Sequence, residues 1–454
     1  MGQVIEARAP DLKIRPEDCL GVKHSDPSTI VIMGATGDLT ARKLVPALFN
    51  LYLNASLPDP FRIVGCGRTK LSDQEFRNKM QEALWVKGAM DASKWPAFAA
   101  ALNYRPVDYG NLNSFMSLAE FLRKLDQKHN TRGNRIFYLA IPPSLYKPLA
   151  QMLGQAGLGK ERENGNGWSR IVVEKPFGRD LKTAVELNQG IQEYFRERQI
   201  FRIDHYLAKE TVQNILIFRF ANAIFEPIWN RRYIDHIHIT ASETLGVEHR
   251  AGYYEQAGVI RDMFQNHIMQ LLALTAMEAP SQFETDRVRD EKVKVFHSLR
   301  PFPVEKLHNY IVLGQYGQGK IDDKPVPGYR EEPGVSPDSL TPTFAKMKVF
   351  IDNWRWQGVP FLLRTGKRMP QRTTQIAINF HCPVLAVFRT GGHLSVSANS
   401  LVLNLQPDEG FDLRFEVKAP GQPLRVETQS LSFKYSQSFE RLPDAYETLL
   451  LDVI

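Results

Sequence analysis

The chain has 454 residues, of which 43% are hydrophobic and 24% are charged, and its formal net charge is +7. This composition is ordinary for a globular protein, and the length allows two or three domains. No run of about 18 apolar residues occurs, and the N-terminus lacks the pattern of a secretory signal, so we expect neither a membrane span nor secretion.

The first half of the chain alternates strand-like and helix-like segments. Residues 1–27 carry three prolines without an apolar period, and we interpret them as an N-terminal extension. Leucines at helical spacing over 39–53, and the capping-box pair of Ser72 and Glu75, predict two helices. We predict an α/β domain over residues 28–203, with a Rossmann-like doubly wound parallel sheet. Apolar runs typical of buried parallel strands lie at residues 29–33, 61–65, 135–141 and 170–174.

The second half has a different pattern. Apolar and polar residues alternate as in half-buried antiparallel strands, and helical patterns cover residues 206–222 and 255–278. We therefore predict an α+β domain over residues 204–454, built on a large, mainly antiparallel sheet with helices. The alternating segments are residues 234–240, 375–380, 400–406 and 411–417.

A glycine-containing turn, Gly-Ala-Thr-Gly-Asp-Leu at residues 34–39, links the first strand to the first helix. Glycines in such a turn let the backbone approach a pyrophosphate, and a helix N-terminus attracts its negative charge. Because the turn is not the full G-x-G-x-x-G pattern, a purely structural turn is the alternative. After the second strand stands Arg68, where NAD-binding sites usually place an acidic residue. An arginine can bind a 2′-phosphate, so Arg68 favours NADP unless it is only an exposed surface residue.

Residues 201–210 read Phe-Arg-Ile-Asp-His-Tyr-Leu-Ala-Lys-Glu and closely resemble the R-I-D-H-Y-L-G-K-E signature of the glucose-6-phosphate dehydrogenase family. The family's other motifs follow in family order, and the resemblance covers residues 28–454. Two positions depart from the pattern, since Ala208 replaces a glycine and Glu255 stands where many members have aspartate. The chain ends at residue 454, where members usually continue for several dozen residues. The matching motifs are G-A-[ST]-G-D-L at 34–39, E-K-P-F-G at 174–178, Q-N-H at 265–267 and V-P-F-x-L-R-x-G-K at 359–367.

This resemblance implies oxidation of D-glucose 6-phosphate at C1 to 6-phosphoglucono-1,5-lactone, with hydride transfer to NADP⁺, the first step of the oxidative pentose phosphate pathway. It also implies a homodimer or homotetramer that associates through the large sheet. Three widely separated cysteines, Cys19, Cys66 and Cys382, suit a reducing cytoplasm. The spread of basic residues favours phosphorylated small molecules over nucleic acid. The reaction needs a base, a phosphate-binding group and a nicotinamide, and no metal.

Three residues are candidates for the catalytic machinery. His267 is the candidate base, because histidine titrates near neutral pH. Asp204 would accept a hydrogen bond from the other ring nitrogen and fix the tautomer. Lys175 follows a strand and precedes a proline, at the sheet edge where ligands bind, and the resemblance implies that it contacts a sugar hydroxyl and the cofactor. From the residues alone, a buried core histidine and an exposed strand-end lysine would be the preferred interpretations, and the resemblance changes this.

The remaining site residues come from the resemblance. His205, Tyr206 and Lys209 match the family's phosphate-binding group, and residues 205 and 209 share one face if this segment is helical. The helix N-terminus would add its partial positive charge, while a solvated surface pair is the alternative. The resemblance implies further substrate contacts from Glu243, Glu255 and Lys367. Arg372 is a further candidate for the phosphate, with an exposed arginine as the alternative. Cofactor contacts are expected from Gly34, Thr36, Gly37, Asp38, Leu39, Arg68, Tyr146 and Lys175.

Other functions are compatible with parts of the sequence. Asp235, His236 and His238 suggest a metal site, but no third ligand lies at a useful spacing, so we expect none. A dehydrogenase of a related sugar, sugar acid or sugar phosphate could carry the Rossmann motifs, but not the D-H-Y-L-x-K-E and Q-N-H segments. A catalytically impaired NADP-binding homologue would lose the base or its partner. The short C-terminus keeps this last alternative open.

Overall fold

The computed structural model describes residues 26–86, 91–161, 167–204, 210–383, 389–390, 393–394, 396–421, 425–438 and 444–454. Residue contacts divide the chain into two compact units. The first contains Met1–Val173, Gly190–Phe201 and Leu450–Ile454, and the second contains Glu174–Gln189 and Arg202–Leu449. Most of the predicted N-terminal extension lies outside the described residues.

The first half of the chain forms a six-stranded sheet, in which the strands have the order β3-β2-β1-β4-β5-β6. Strand β1 runs parallel to β2 and β4, β2 runs parallel to β3, and β4 runs parallel to β5. This is the strand order of a doubly wound dinucleotide-binding sheet, so the predicted fold class is confirmed here. The strands are β1 Ser28–Met33, β2 Phe61–Gly67, β3 Leu102–Pro106, β4 Arg135–Leu139, β5 Ser169–Val173 and β6 Ile200–Arg202.

Helices connect these strands. Both the capping box and the leucine-rich helix predicted from the sequence are present. The Ser72 backbone N–H donates to Glu75 Oε2 over 2.7 Å, and the Glu75 N–H donates to Ser72 Oγ over 3.2 Å. The predicted helix over 39–53 begins as a π-helical segment, Thr40–Leu44. The helices are α1 Val45–Leu53, α2 Asp73–Val86, α3 Trp95–Ala100, α4 Leu112–His129, α5 Tyr146–Gln155 and α6 Leu181–Gln192, with short 3₁₀ turns at Pro143–Leu145 and Glu197–Gln199.

An eight-stranded sheet dominates the second half, in the order β18-β17-β16-β13-β7-β12-β11-β8. Strands β7 and β12 run parallel, and the other neighbouring pairs in this sheet run antiparallel. The prediction of a large, mainly antiparallel sheet is confirmed. The eight strands are β7 Ile234–Ser242, β8 Ile311–Gly314, β11 Phe344–Val349, β12 Phe361–Gly366, β13 Thr373–Phe380, β16 Ser400–Gln406, β17 Gly410–Lys418 and β18 Val426–Lys434. Two separate two-stranded sheets consist of β9 Gly319–Ile321 with β10 Lys324–Val326, and of β14 Arg389–Thr390 with β15 His393–Leu394.

The helices of the second half pack on this sheet. Alternate residues of the central strands, such as Ile239, Leu363 and Ile376, are buried in one apolar core with helix residues such as Leu271. The single helix predicted over 255–278 is wrong, because Gly258 has a non-helical φ of 60° and ψ of 177°. The chain instead forms α8 Ala251–Val259, a π-helical segment Ile260–Ile268 and α9 Met269–Ala276. The other helices are α7 Glu210–Phe220, α10 Thr285–His297, α11 Tyr435–Ser438 and α12 Ala445–Val453, with 3₁₀ turns at Glu226–Ile228, Glu248–Arg250, Val304–Asn309 and Tyr329–Glu331.

Candidate active site

The turn after β1 has a backbone that requires glycine. Gly34 has a φ of +91°, and a Cβ built on it would lie 2.1 Å from the Ala140 carbonyl oxygen. Hydrogen bonds from the Gly34 and Ala35 N–H groups to the Cys66 carbonyl hold the turn against the end of β2. The turn leads into the π-helical segment Thr40–Leu44. This close-packed strand-to-helix turn has the form that admits a dinucleotide pyrophosphate.

Polar side chains surround this turn. Arg68 is exposed directly after β2, and Thr36 packs beside the backbone of Gly67. The Lys79 ammonium, which the sequence did not single out, donates to the Thr36 carbonyl over 2.9 Å. The Asp38 carboxylate is exposed and pairs with Arg42 over 2.7 Å. The first unit therefore presents exposed cations beside a phosphate-type turn, which fits a phosphorylated dinucleotide.

The remaining cofactor candidates differ in exposure. Gly37 is exposed and its N–H donates to the Gly34 carbonyl, while Leu39 is half-buried. Tyr146 begins α5 and is only 1% exposed. A side chain this enclosed packs in the core of the first unit, so its predicted contact with a cofactor stays a prediction.

The three catalytic candidates lie in the second unit, where His267 contacts Asp204 on one side and Lys175 on the other. We call these three residues the catalytic row. Asp204 Oδ2 is 3.1 Å from His267 Nδ1, and Lys175 Nζ is 2.5 Å from His267 Nε2. The imidazole is 3% exposed and belongs to the π-helical segment Ile260–Ile268. These partners assign the ring hydrogen to Nδ1, which donates to Asp204, and leave the Nε2 lone pair facing Lys175. An oriented imidazole that carries its lone pair on Nε2 can act as a general base.

A second charged group is centred on Lys367, the first residue after β12. Its ammonium is 2.5 Å from Glu243 Oε2 and 3.9 Å from Asp262 Oδ2, although the residue is only 3% exposed. Burial raises the pKa of Glu243, but the charge and the hydrogen bond of Lys367, together with smaller effects of nearby positive charges, outweigh it and lower the pKa of this carboxyl. Asp262 and His267 both belong to the π-helical segment Ile260–Ile268, so this segment connects the lysine group to the catalytic candidates.

Glu255 has a separate set of partners. Its Oε1 accepts hydrogen bonds from the Tyr329 hydroxyl over 2.5 Å and from the Ser339 hydroxyl over 2.7 Å. Burial raises the pKa of Glu255, but the hydrogen bonds from Tyr329, Ser339 and Thr341 outweigh it and lower the pKa below its ordinary value of 4.5. The predicted role of Glu255 in binding a sugar hydroxyl stays a prediction.

The lowered pKa of Glu255 predicts a pH-dependent contribution to stability. A carboxyl with a lower pKa in the folded state stabilises the fold above its unfolded pKa, and this contribution disappears as the pH falls through the folded value. We expect Glu255→Gln to destabilise the chain most above pH 4.5, with the difference shrinking at lower pH. Urea unfolding at a series of pH values measures this difference. The exposed Glu305→Gln should show no such trend, and a pH-independent difference for Glu255→Gln would contradict the prediction.

Several predicted residues cannot be placed beside these groups. His205, Tyr206 and Lys209 lie outside the described residues, as does Ala208. Arg372 is exposed in the connection between β12 and β13. Within the described ranges, no group of three or more His, Cys, Asp or Glu residues is placed to hold a metal ion.

Three residues beside the candidate site were missed by sequence reasoning. The Tyr446 hydroxyl, on α12, donates to Glu174 Oε1 over 3.3 Å, next to Lys175. Burial and the Glu174 carboxylate raise the pKa of Tyr446. Burial and Arg289 lower the pKa of Lys292 to about 8, while Asp204 acts in the opposite direction. The third missed residue is Asp262, described above. None of the three belongs to a sequence motif, so only the fold brings them to the site.

Comparisons with known proteins match nearly the whole chain to a single family. The sequence model "Glucose-6-phosphate dehydrogenase, NAD binding domain" matches residues 31–214, and "Glucose-6-phosphate dehydrogenase, C-terminal domain" matches residues 216–454. The chain belongs to the glucose-6-phosphate dehydrogenase family. The family resemblance seen in the sequence motifs is thereby confirmed, and the first half of the chain is the family's dinucleotide-binding domain.

Individual family members align over most of their length. A glucose-6-phosphate 1-dehydrogenase of Treponema pallidum is 47% identical, with 94% of this chain and 83% of the relative covered. The Bacillus subtilis enzyme is 44% identical, with 94% and 86% covered. A solved glucose-6-phosphate dehydrogenase in complex with glucose 6-phosphate superposes with a TM-score of 0.86 at 35% identity, with 94% of this chain and 86% of that chain covered.

None of the helices in the described part of the chain combines the length and the apolar character that a bilayer crossing requires.

Proposed function

We propose that this chain oxidises D-glucose 6-phosphate at C1 to 6-phosphoglucono-1,5-lactone, with hydride transfer to NADP⁺. The observation that carries the proposal is the row of Asp204, His267 and Lys175, in which an almost fully buried imidazole is oriented by a carboxylate. The activity is that of the family members named above, and the three residues that the chemistry requires are present.

The proton of the reaction goes to His267. The C1 hydroxyl of the sugar binds at Nε2, which accepts its proton as the C1–H bond gives up a hydride. Asp204, bonded at Nδ1 over 3.1 Å, stabilises the imidazolium that forms. The Lys175 ammonium, now at Nε2, is free to bond a sugar oxygen once the hydroxyl occupies this position. A bound nicotinamide dinucleotide supplies the hydride acceptor.

The substrate's other end is held by charge. A sugar phosphate carries negative charge that Lys367 can attract, together with His205, Tyr206, Lys209 and Arg372, which we propose to complete the phosphate-binding group. Glu243 and Glu255 are proposed to accept hydrogen bonds from sugar hydroxyls. The Lys367 ammonium pairs with Glu243, so contact with a phosphate requires this pair to rearrange.

Cofactor selection is proposed to depend on the first unit. The turn at residues 34–39 accepts the pyrophosphate, with Gly34, Thr36, Gly37, Asp38, Leu39 and Tyr146 as its contacts, and Arg68 binds the 2′-phosphate. Lys175 is proposed to contact the nicotinamide as well. We further propose that residues 28–203 act as the cofactor domain and residues 204–454 as the substrate and oligomerisation domain of a cytoplasmic homodimer or homotetramer.

Replacing Arg68 tests the preference for NADP. The guanidinium is exposed at the end of β2, and hydrogen bonds to a charged group contribute about 1.5–3 kcal/mol. We expect Arg68→Ala to raise the KM for NADP⁺ by about 10- to 100-fold, with little change in the KM for NAD⁺. Lys70→Ala, which removes an exposed cation two residues later, is the matched control. Equal losses with both cofactors would contradict a 2′-phosphate contact.

The activity itself is tested by following nicotinamide reduction with glucose 6-phosphate and NADP⁺. Unphosphorylated glucose, 6-phosphogluconate and NAD⁺ are the comparison substrates. We expect rapid reduction of the nicotinamide that requires both the 6-phosphate of the sugar and NADP⁺ as the cofactor. Oxidation of 6-phosphogluconate or free glucose in preference would overturn the substrate assignment, and no reduction with any substrate would favour a catalytically impaired homologue.

A further inference from the structure

A cavity far from the catalytic row opens at the other end of the large sheet. It has a volume of about 690 Å³ and is formed where β7 and β12 begin and β13 ends. Strand β7 runs from this cavity, at Ile234, to Ser242, which directly precedes Glu243. At about 3.3 Å per residue, these eight steps separate the cavity from the substrate group by about 26 Å. The cavity is therefore a second site and not an extension of the first.

The cavity wall is strongly basic. Arg231, Arg232 and Lys348 all line it. Arg231 donates to the Gln357 side chain over 3.1 Å, and Lys348 lies 5.5 Å from the Tyr310 ring centroid. Within the described part of the chain, Arg232 and Lys348 form no ion pair with a carboxylate, although such pairs are common elsewhere in this unit. Their positive charge is thus available to an anion.

The one carboxylate in the wall is already engaged. Asp235 Oδ2 is 2.6 Å from His236 Nδ1, and its Oδ1 is 3.4 Å from His381 Nδ1. Asp235 therefore orients two imidazoles on the same wall and does not neutralise the arginines. His381 Nε2 in turn lies 3.4 Å from the Arg231 carbonyl oxygen, so this imidazole is held in the wall through both ring nitrogens.

Size and lining together indicate the class of ligand. Small-molecule sites usually measure about 300–1,000 Å³, and an isolated phosphate would fill only a small part of this one. Val359, Pro360 and Leu362 give part of the cavity an apolar lining. An arginine guanidinium can donate two parallel hydrogen bonds to phosphate oxygens, and apolar side chains can pack against the flat ring of a nucleobase. We propose that this cavity binds a nucleoside triphosphate, with its phosphates on Arg231, Arg232 and Lys348.

The test is calorimetric titration of the full chain with ATP. NADPH and glucose 6-phosphate are present at saturating concentration, because together they occupy the proposed cofactor and substrate sites without turnover. The variants are Arg232→Glu and Lys348→Glu, and the control is Lys320→Glu, which makes the same charge change at an exposed residue of β9 outside the cavity. Melting temperatures of all variants establish that they fold.

We expect the unmodified chain and Lys320→Glu to bind one ATP per chain, and both cavity variants to weaken that binding about tenfold or more. Tripolyphosphate should compete with ATP, and adenosine should bind far more weakly. Absence of ATP binding by the unmodified chain overturns the proposal. Equal affinities in all three variants, or adenosine binding as tightly as ATP, overturns it as well. The comparison does not depend on turnover, so a failure of the proposed catalytic function leaves the result interpretable.

Discussion

We expect His267→Asn to lower kcat by about 10²- to 10⁴-fold, the range for loss of a general base. Asparagine has a similar size and can still hydrogen-bond to Asp204, which lies 3.1 Å from His267 Nδ1, so the local packing should survive. It cannot accept the proton of the C1 hydroxyl. Because the substrate phosphate is held elsewhere, the KM for glucose 6-phosphate should change little. Steady-state rates of nicotinamide reduction measure both constants.

Two further variants make this result specific. Asp204→Asn should give a smaller loss in kcat, since the base remains but its orientation and the stability of the imidazolium suffer. His308→Asn changes an exposed histidine of the Val304–Asn309 turn and should leave the rate unchanged. If His267→Asn kept kcat within about threefold of the unmodified chain, the assignment of the base would be wrong.

The second large effect is expected at Lys367. This residue is 3% exposed, and its ammonium lies within 4.0 Å of two carboxylates, those of Glu243 and Asp262. Removing one partner of a buried ion pair leaves the other charges uncompensated, which costs about 3–5 kcal/mol when burial is complete. Because the Glu243 side chain is 36% exposed, we expect Lys367→Met to lower the free energy of unfolding by about 2–3 kcal/mol. The KM for glucose 6-phosphate should rise by about 10-fold or more.

The double variant Lys367→Met with Glu243→Gln separates these two effects. Removing the unpaired carboxylate should recover part of the stability, as measured by urea unfolding, while the KM stays high. Lys346→Met, at an exposed lysine of β11, is the control and should change neither quantity. A stable Lys367→Met variant with an unchanged KM would show that this lysine serves neither the fold nor the substrate.

The sequence predicted the main layers of the fold because long apolar or alternating runs reflect burial directly. Strand β1 is buried at every residue, and its apolar run identified it. Two strands of the first sheet were missed for physical reasons. Strand β6 has only three residues, and β3, Leu-Asn-Tyr-Arg-Pro, is short and mostly polar. Gly258 gave no sign that it would leave helical geometry, so the break between α8 and the following segment was not predicted.

The candidate site was predicted unevenly. The resemblance named Asp204 and His267, and the structure places them in contact although 63 residues separate them. Sequence spacing could not predict that Lys367 would be neutralised by Glu243, 124 residues away. Nor could it predict the partners of Glu255, because Tyr329 and Ser339 reach it only through the fold of the second unit. Sequence motifs identify which residue types are present, whereas the side chains that contact one another are determined by the fold and by the register of the strands.

The parallel pairing of β7 and β12 restricts where this chain can gain or lose residues. Ser242 and Gly366 are register partners, and Glu243 and Lys367 are the residues that follow them. Deleting one residue inside either strand would shift its side chains by about 3.3 Å and turn them to the opposite face of the sheet. Insertions and deletions should therefore be tolerated in connections such as the turn at residues 322–323, between β9 and β10, and be excluded from Phe361–Gly366.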